Sequence, residues 1–141
     1  MVRPIKRDII NNNITQSNLV SIIIPHYNGE KILFECIDSL LQSTYKEIEI
    51  IVVDNASEDD SIKNIKEYFP DIIILRCDKN YGYAEGCNKG AKIAKGEYLI
   101  FLNNDTIQQA DWIEPLVNKL NSNINISSIQ PKIKNYNHRD K

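Results

Sequence analysis

Four short polar clusters, each placed directly after an apolar run, carry the residue types that could hold a charged, hydrogen-bonding ligand. Asp54 follows the run Ile48 to Val53. A carboxylate at the end of a buried strand could accept a hydrogen bond from a nucleobase imide N–H. The same residue opens Asp54-Asn55-Ala56-Ser57, which is good turn chemistry, so a capping role stands beside the binding one. Asn103-Asn104-Asp105 follows Tyr98 to Leu102. A carboxylate there, among other oxygen donors, suits a hard divalent cation that also grips a diphosphate. One carboxylate makes a weak site by itself, so phosphate oxygens and water would complete the shell. The alternative is again a turn, with Asp105 or Thr106 capping the next segment. The third cluster, Asn80-Tyr81-Gly82, leads on to Gly86 and Gly90, glycines that permit close approach of a ligand or of a neighbouring sheet. Its spacing is not GxGxxG, and the absence of a GK[ST] loop excludes P-loop chemistry. The fourth is Pro25-His26-Tyr27-Asn28-Gly29. His26 is alone there and reads as a surface or packing residue, His138 as a solvated tail residue, and Trp112 as a core or lid residue. No serine or cysteine has a recognisable base partner.

These clusters need elements to position them. Leu19 to Ile24, Ile48 to Val53, Ile72 to Leu75 and Tyr98 to Leu102 read as strands. Three of the four are nearly continuous in apolar residues, which predicts burial on both faces, as in a parallel sheet between helix layers. Between them lie helical patterns. Glu30 to Gln42 carries a stripe of Ile32, Leu33, Cys36, Ile37, Leu40 and Leu41. Ser57, followed by Glu58, Asp59 and Asp60, is expected to cap a second helix whose inner face is Ile62, Ile65 and Phe69 and which ends at Pro70. A third helix, Tyr83 to Lys95, offers only small inward residues, Ala84, Cys87, Ala91 and Ala94, and stops at Gly96. A fourth spans Asp111 to Leu120, and Ile126 to Gln130 is expected to form a further strand. Short connections and right-handed crossovers make this order a Rossmann-like α/β sheet. In such a sheet ligands bind beyond the carboxyl ends of the strands, where all four polar clusters fall.

Composition narrows the field. With 141 residues, 42% hydrophobic and 26% charged, the chain holds one ordinary core. The net charge of −2, from 17 basic and 19 acidic residues, leaves no basic field for a polyanion, so no nucleic-acid partner is expected. Cys36, Cys77 and Cys87 lack CxxC spacing and read as small apolar fillers in a reduced setting. No apolar run reaches the ~20 residues of a membrane span. Residues 1–18 form a polar lead-in without a signal-peptide core, in which Ile9 and Ile10 could dock weakly. Residues 19–133 form the folded part, and residues 134–141 a polar tail.

The clusters also occur together in a known order. Val20 to Gly29 (VSIIIPHYNG), Ile50 to Asp59 (IIVVDNASED), Asn80-Tyr81-Gly82 with Gly86 to Gly90, and Gly96 to Asp105 (GEYLIFLNND) resemble four motifs of the family 2, GT-A type glycosyltransferases. The resemblance runs from about Leu19 to Ile133. Asn-x-Asp in place of Asp-x-Asp, with Gln130-Pro131-Lys132-Ile133 behind it, is similar to the rhamnosyltransferase-like branch.

The resemblance implies a nucleotide-sugar donor, UDP- or dTDP-linked, and a glycan or lipid-linked hydroxyl acceptor, in an inverting transfer that builds cell-surface polysaccharide. Pro25 and Tyr27 would flank the base, and Asp54 would hold its imide N–H, favouring uracil or thymine over cytosine. Asn80, Gly82 and Asn88 would lie around base and ribose. Asp105 would bind Mg²⁺ or Mn²⁺ bridging the diphosphate, with Asn103 near the ribose or in the metal shell. A cytoplasmic location, peripheral at most to the inner face of the membrane, goes with this reading.

Two departures matter. Asn103 replaces the first carboxylate of the DxD pattern, which predicts low metal affinity without nucleotide. The family's general base lies well downstream, whereas the carboxylates after Asp105 are Asp111, Glu114 and Asp140, none of which matches it. No catalytic base is assigned, and the sheet is expected to be truncated, to self-associate through an open edge, and to bind nucleotide without efficient transfer. A nucleotidyltransferase of related fold would want a basic, glycine-rich loop after the first strand, and Pro25 to Gly29 has neither Lys nor Arg.

Overall fold

The computed structural model describes residues 2–4 and 16–135, with side chains from residue 18 onward. The chain runs β1 (Val2–Pro4), β2 (Gln16–His26), α1 (Glu30–Leu41), β3 (Ile48–Asp54), α2 (Ser61–Tyr68), β4 (Ile73–Arg76), α3 (Gly82–Ile93), β5 (Gly96–Phe101) and α4 (Ile113–Ser122). The sheet order is β1-β5-β2-β3-β4. β2 pairs in parallel with both β3 and β5, and β3 in parallel with β4. This is the mostly parallel Rossmann-like sheet that the apolar runs predict.

Burial on both faces has a direct structural basis. Side chains alternate across a strand, so Ile22 and Ile24 enter one core and Ile23 the other. The larger core joins Val20, Ile22 and Ile24 to Leu33, Cys36, Ile37 and Leu40 of α1, Ile62 and Ile65 of α2, and Ile113, Leu116, Val117 and Leu120 of α4. Each such fully buried aliphatic side chain contributes about 1.5–3 kcal/mol relative to exposure. The second core, beneath α3, is thinner: Ile23, Ile51, Val53, Cys77, Ala94 and Leu99.

The inward face of α3 holds Cys87 and Ala94, both buried, with Ala91 packed against the second core, as expected; Ala84 is exposed instead, and Gly86 and Gly90 are buried beside them. A Cβ on Gly90 would lie 2.4 Å from Ile23 Cγ2 and 3.0 Å from Val53 Cγ2, so the helix backbone sits directly on the sheet. At Gly86 the facing group is Pro25, whose Cβ would be 3.0 Å away. These two glycines therefore serve helix–sheet contact.

Other expectations also change. Ile32 and Leu41 lie outside the α1 stripe, 48% and 46% exposed. The second helix starts at Ser61, with Asp60 at its N-cap and no side-chain cap bond, and Ser57 does not cap it: the Ser57 hydroxyl accepts from the Asn28 N–H at 3.0 Å. Ile126 to Gln130 forms no strand; only Ile129 makes an isolated bridge. Residues 2–4 are not a free lead-in: they pair antiparallel with β5, Val2 opposite Ile100 and Pro4 opposite Tyr98. The expectations for Ile9, Ile10, His138 and Asp140 fall outside the described residues.

Candidate functional site

The loops after β2, β3 and β5 and the start of α3 meet at the carboxyl edge of the sheet, and hydrogen bonds tie them together. The β2 loop turns through left-handed conformations at Asn28 and Gly29, with φ of 52° and 100°. That turn is clamped to the β3–α2 loop. The Glu58 N–H donates to Asn28 Oδ1 at 2.9 Å, and the Gly29 N–H donates to Asp59 Oδ2 at 2.6 Å. Asn55 reaches the other way: its carboxamide donates to the Gly82 carbonyl and accepts from the Tyr81 N–H, both at 3.3 Å. Asn80 Oδ1 accepts from the Gly82 N–H at 2.8 Å and shapes the entry to α3.

Between these loops lies a cleft of about 270 Å³, lined by Pro25, His26, Tyr27, Asn55, Asn80, Gly82, Tyr83 and Asn104. Four of the residues expected from sequence, Pro25, Tyr27, Asn80 and Gly82, are thus brought together. Tyr27 stands at the rim, 46% exposed, as a stacking platform requires. Asn88, Asn103 and Asp105 are exposed and lie outside the lining; Asn88 donates to Glu85 Oε2 at 3.4 Å.

Asp54 is fully buried at the end of β3, beside His26 in the sheet register. One carboxylate oxygen accepts from the Ser57 N–H at 2.8 Å, the turn role that the sequence allows. The other has no hydrogen-bond partner. Arg76 Nε lies 3.4 Å from it, an ion-pair separation with no hydrogen bond, on a side chain that is 64% exposed. A buried carboxylate oxygen without a donor is costly, and most such atoms are satisfied in folded proteins.

His26, Asn55, Tyr83 and Asn104 line the cleft without being binding residues expected from the sequence. His26 is 1% exposed, which supports the packing role. Its ring bridges Ser61 Oγ at 3.0 Å through Nε2 and Asn104 Nδ2 at 2.9 Å through Nδ1. Burial lowers its pKa, against the opposing charges of Asp59 and Asp54, so the ring is neutral at pH 7. Asn55 and Asn104 sit inside the polar clusters, and their position after a strand is the signal that points to them.

The Asn103–Asp105 loop is braced on α1. Asn103 O accepts from Thr106 Oγ1 at 2.8 Å, Gln108 Nε2 donates to Thr106 Oγ1 at 2.8 Å, and Ser39 Oγ donates to Gln108 Oε1 at 2.9 Å. Among the described residues, no three His, Cys, Asp or Glu side chains cluster to hold a metal. The donor set here is one exposed carboxylate and carboxamide oxygens. It fits a hard cation that takes its remaining ligands from a diphosphate and water, and does not form a pre-built cage. The cysteines are all free and buried; burial pushes the Cys36 thiol up to about 11, so it acts as an apolar filler. Trp112 packs against the larger core, in keeping with its core reading.

Known proteins are similar to this chain in sequence and in fold. An uncharacterised glycosyltransferase of Rickettsia typhi is 44% identical over 107 residues, covering 76% of this chain and 33% of the relative. Glycosyltransferase GlyG of Streptococcus pneumoniae is 36% identical over 103 residues, covering 71% and 34%. The chain thus spans about a third of the length of both. Among solved structures, Staphylococcus aureus TarS 1–349 in complex with UDP matches with a TM-score of 0.68 at 25% identity, over 74% of this chain and 32% of that one. A mannosyltransferase of Pyrobaculum calidifontis in complex with GDP-Man and Mn²⁺ matches with a TM-score of 0.64 at 26% identity, over 72% and 32%. No described helix is long and apolar enough to cross a membrane. The family profile that matches residues 21–140 is that of glycosyl transferase family 2, and this chain belongs to that family.

Proposed function

We propose that this chain is the donor-binding part of an inverting glycosyltransferase that uses a UDP- or dTDP-sugar. The observation that carries the reading is the buried Asp54 oxygen without a hydrogen-bond partner, one residue from a cleft wall. An imide N–H is the group that would satisfy it, with Arg76, largely exposed, moving aside. Uracil and thymine carry that N–H at N3, whereas cytosine presents an acceptor there. Pro25 and Tyr27 would hold the base between them, and Asn80, Gly82 and Asn88 would border base and ribose. Proteins of similar fold in complex with UDP, and in one case with GDP-Man and Mn²⁺, support a nucleotide-diphosphate ligand.

Asp105, with Asn103, would hold Mg²⁺ or Mn²⁺ through hard oxygen donors. When bound, the cation stabilises negative charge on the departing nucleoside diphosphate. Because the chain contributes one carboxylate, the cation and the diphosphate should bind together. Transfer to a glycan or lipid-linked acceptor, a rhamnosyltransferase-like specificity suggested by Gln130 to Ile133, a role in surface polysaccharide synthesis and a place at the inner face of the membrane are proposed for the whole protein. Self-association is proposed through β4, which is paired on one side by β3 and carries half-buried Ile73, Ile74 and Leu75. A monomer at high concentration in sedimentation would count against it.

Calorimetric titration tests the donor site. UDP, dTDP, GDP and CDP are each titrated into the chain, with and without Mn²⁺. UDP and dTDP are expected to bind, at least tenfold more tightly with Mn²⁺, and Asp105→Ala should erase that enhancement while leaving metal-free binding intact. No binding of any nucleotide to a folded sample would sink the reading.

A further inference from the structure

Asp59, Ser61, His26 and Asn104 form an unbroken line of hydrogen bonds from the α2 entry to the cleft. The direction of every bond in it is set from one end. Asp59 is held below its ordinary pKa: burial raises it, but the Ser61 hydroxyl and the Gly29 and Ser61 N–H groups lower it further. Ionised, it can only accept. The Ser61 hydroxyl must therefore donate its single proton to Asp59 Oδ1, which leaves the Ser61 oxygen as an acceptor toward His26. A neutral imidazole has one N–H, so His26 carries it on Nε2 and donates it to Ser61. His26 Nδ1 is then an acceptor, and only the NH₂ end of the Asn104 carboxamide can meet it, at 2.9 Å. The carboxamide oxygen is left facing away from His26, on a residue that lines the cleft.

We infer that His26 is a positioning residue whose Nε2–H tautomer, dictated by Asp59 through Ser61, orients Asn104 so that this wall of the cleft presents a hydrogen-bond acceptor to a hydroxyl of the bound nucleotide. The inference rests on the nucleotide reading for its ligand but not for its chain of bonds. It joins residues 78 positions apart, so that the last residue of β2 sets the polarity of the loop after β5. It also assigns a purpose to a fully buried histidine that no other part of the site employs.

Ser61→Ala supplies the test, because it removes one hydroxyl and cuts the line between Asp59 and His26. His26 Nε2 then has no acceptor at Ser61, its tautomer is no longer dictated, and Asn104 is no longer held with its oxygen away from His26. Nitrogen-15 spectra of the ligand-free chain at neutral pH should show His26 protonated at Nε2 in the wild type and a mixture of the Nε2–H and Nδ1–H forms in Ser61→Ala. UDP and 2′,3′-dideoxy-UDP are then compared by titration. The wild type should prefer UDP about fivefold, and the variant, whose Asn104 is no longer fixed, should bind the two within about twofold. A wild-type ring protonated at Nδ1, or charged, overturns the inference whether or not any nucleotide binds and whether or not the variant folds. An unchanged UDP preference in a folded Ser61→Ala also overturns it. Failure of both nucleotides to bind overturns the donor-site reading and the hydroxyl contact together, whereas the wild-type tautomer separately decides the chain of bonds.

Discussion

Asp54→Asn is expected to weaken UDP binding about thirtyfold and to strengthen CDP binding by a comparable factor. The substitution changes one atom's polarity and almost no volume. Oδ1 still accepts from the Ser57 N–H at 2.8 Å, so the turn is preserved and the new NH₂ group stands where the unpartnered oxygen was. Facing a uracil N3–H, that group meets another donor, and a charge-assisted bond of about 2 kcal/mol is lost. Facing cytosine N3, it meets an acceptor. Loss of the buried charge also removes the ion pair with Arg76, whose 64% exposure makes that contribution small. Parallel titrations of UDP and CDP into both proteins measure the inversion. Equal weakening of both nucleotides would mean that Asp54 acts on the fold of the loop and does not read the base.

Gly96→Ala should be the most damaging single methyl group in the chain. Its Cβ would stand 2.5 Å from Ser21 Oγ, 2.7 Å from the Leu19 carbonyl oxygen and 2.7 Å from the Ser21 nitrogen. Two of those atoms are backbone of β2 and cannot rotate away, unlike the Ile23 methyl that faces Gly90. The contact also sits on a polar knot. Ser21 Oγ accepts the Gly96 N–H at 2.8 Å and itself donates to Glu49, which accepts the Lys95 N–H at 2.6 Å. One added carbon therefore disturbs the middle of β2 and the starts of β3 and β5. Overpacking of this kind costs about 3 kcal/mol, which corresponds to a Tm lowered by roughly 10 °C in a domain of this size. Thermal unfolding followed by circular dichroism reads it directly. A Tm within about 2 °C of wild type would show that β5 can slide on β2 without penalty.

Much of the architecture is legible in the sequence because it rests on local pattern. A continuous apolar run such as Ile22 to Ile24 is satisfied between two layers, and the structure sets Ile22 and Ile24 in one core and Ile23 in the other. The polar clusters are legible as a site for a related reason: a parallel sheet ends all its strands on the same edge, so Pro25, Tyr27, Asn80 and Gly82 had to converge once the strands were recognised. The start of α2 is not legible. Ser57, Asp59 and Ser61 are all competent capping residues, and only the fold shows that Ser57 turns to the Asn28 N–H, about thirty positions earlier, while Asp59 accepts from both Gly29 and the Ser61 N–H at the helix start. The inward face of α3 is legible in Cys87, Ala91 and Ala94, but the sequence leaves open whether Gly90 meets a ligand or the sheet; only Ile23 and Val53 lying against it decide for the sheet.

Residue type and order alone therefore determined the α/β class and the polar edge, since periodicity and turn chemistry act over a few residues. Tertiary structure alone decided that one oxygen of Asp54 is sealed without a donor, that His26 is joined to Asn104, and that residues 2–4 pair with β5. Each of those facts depends on which distant groups are brought within hydrogen-bonding distance, and no local pattern encodes that.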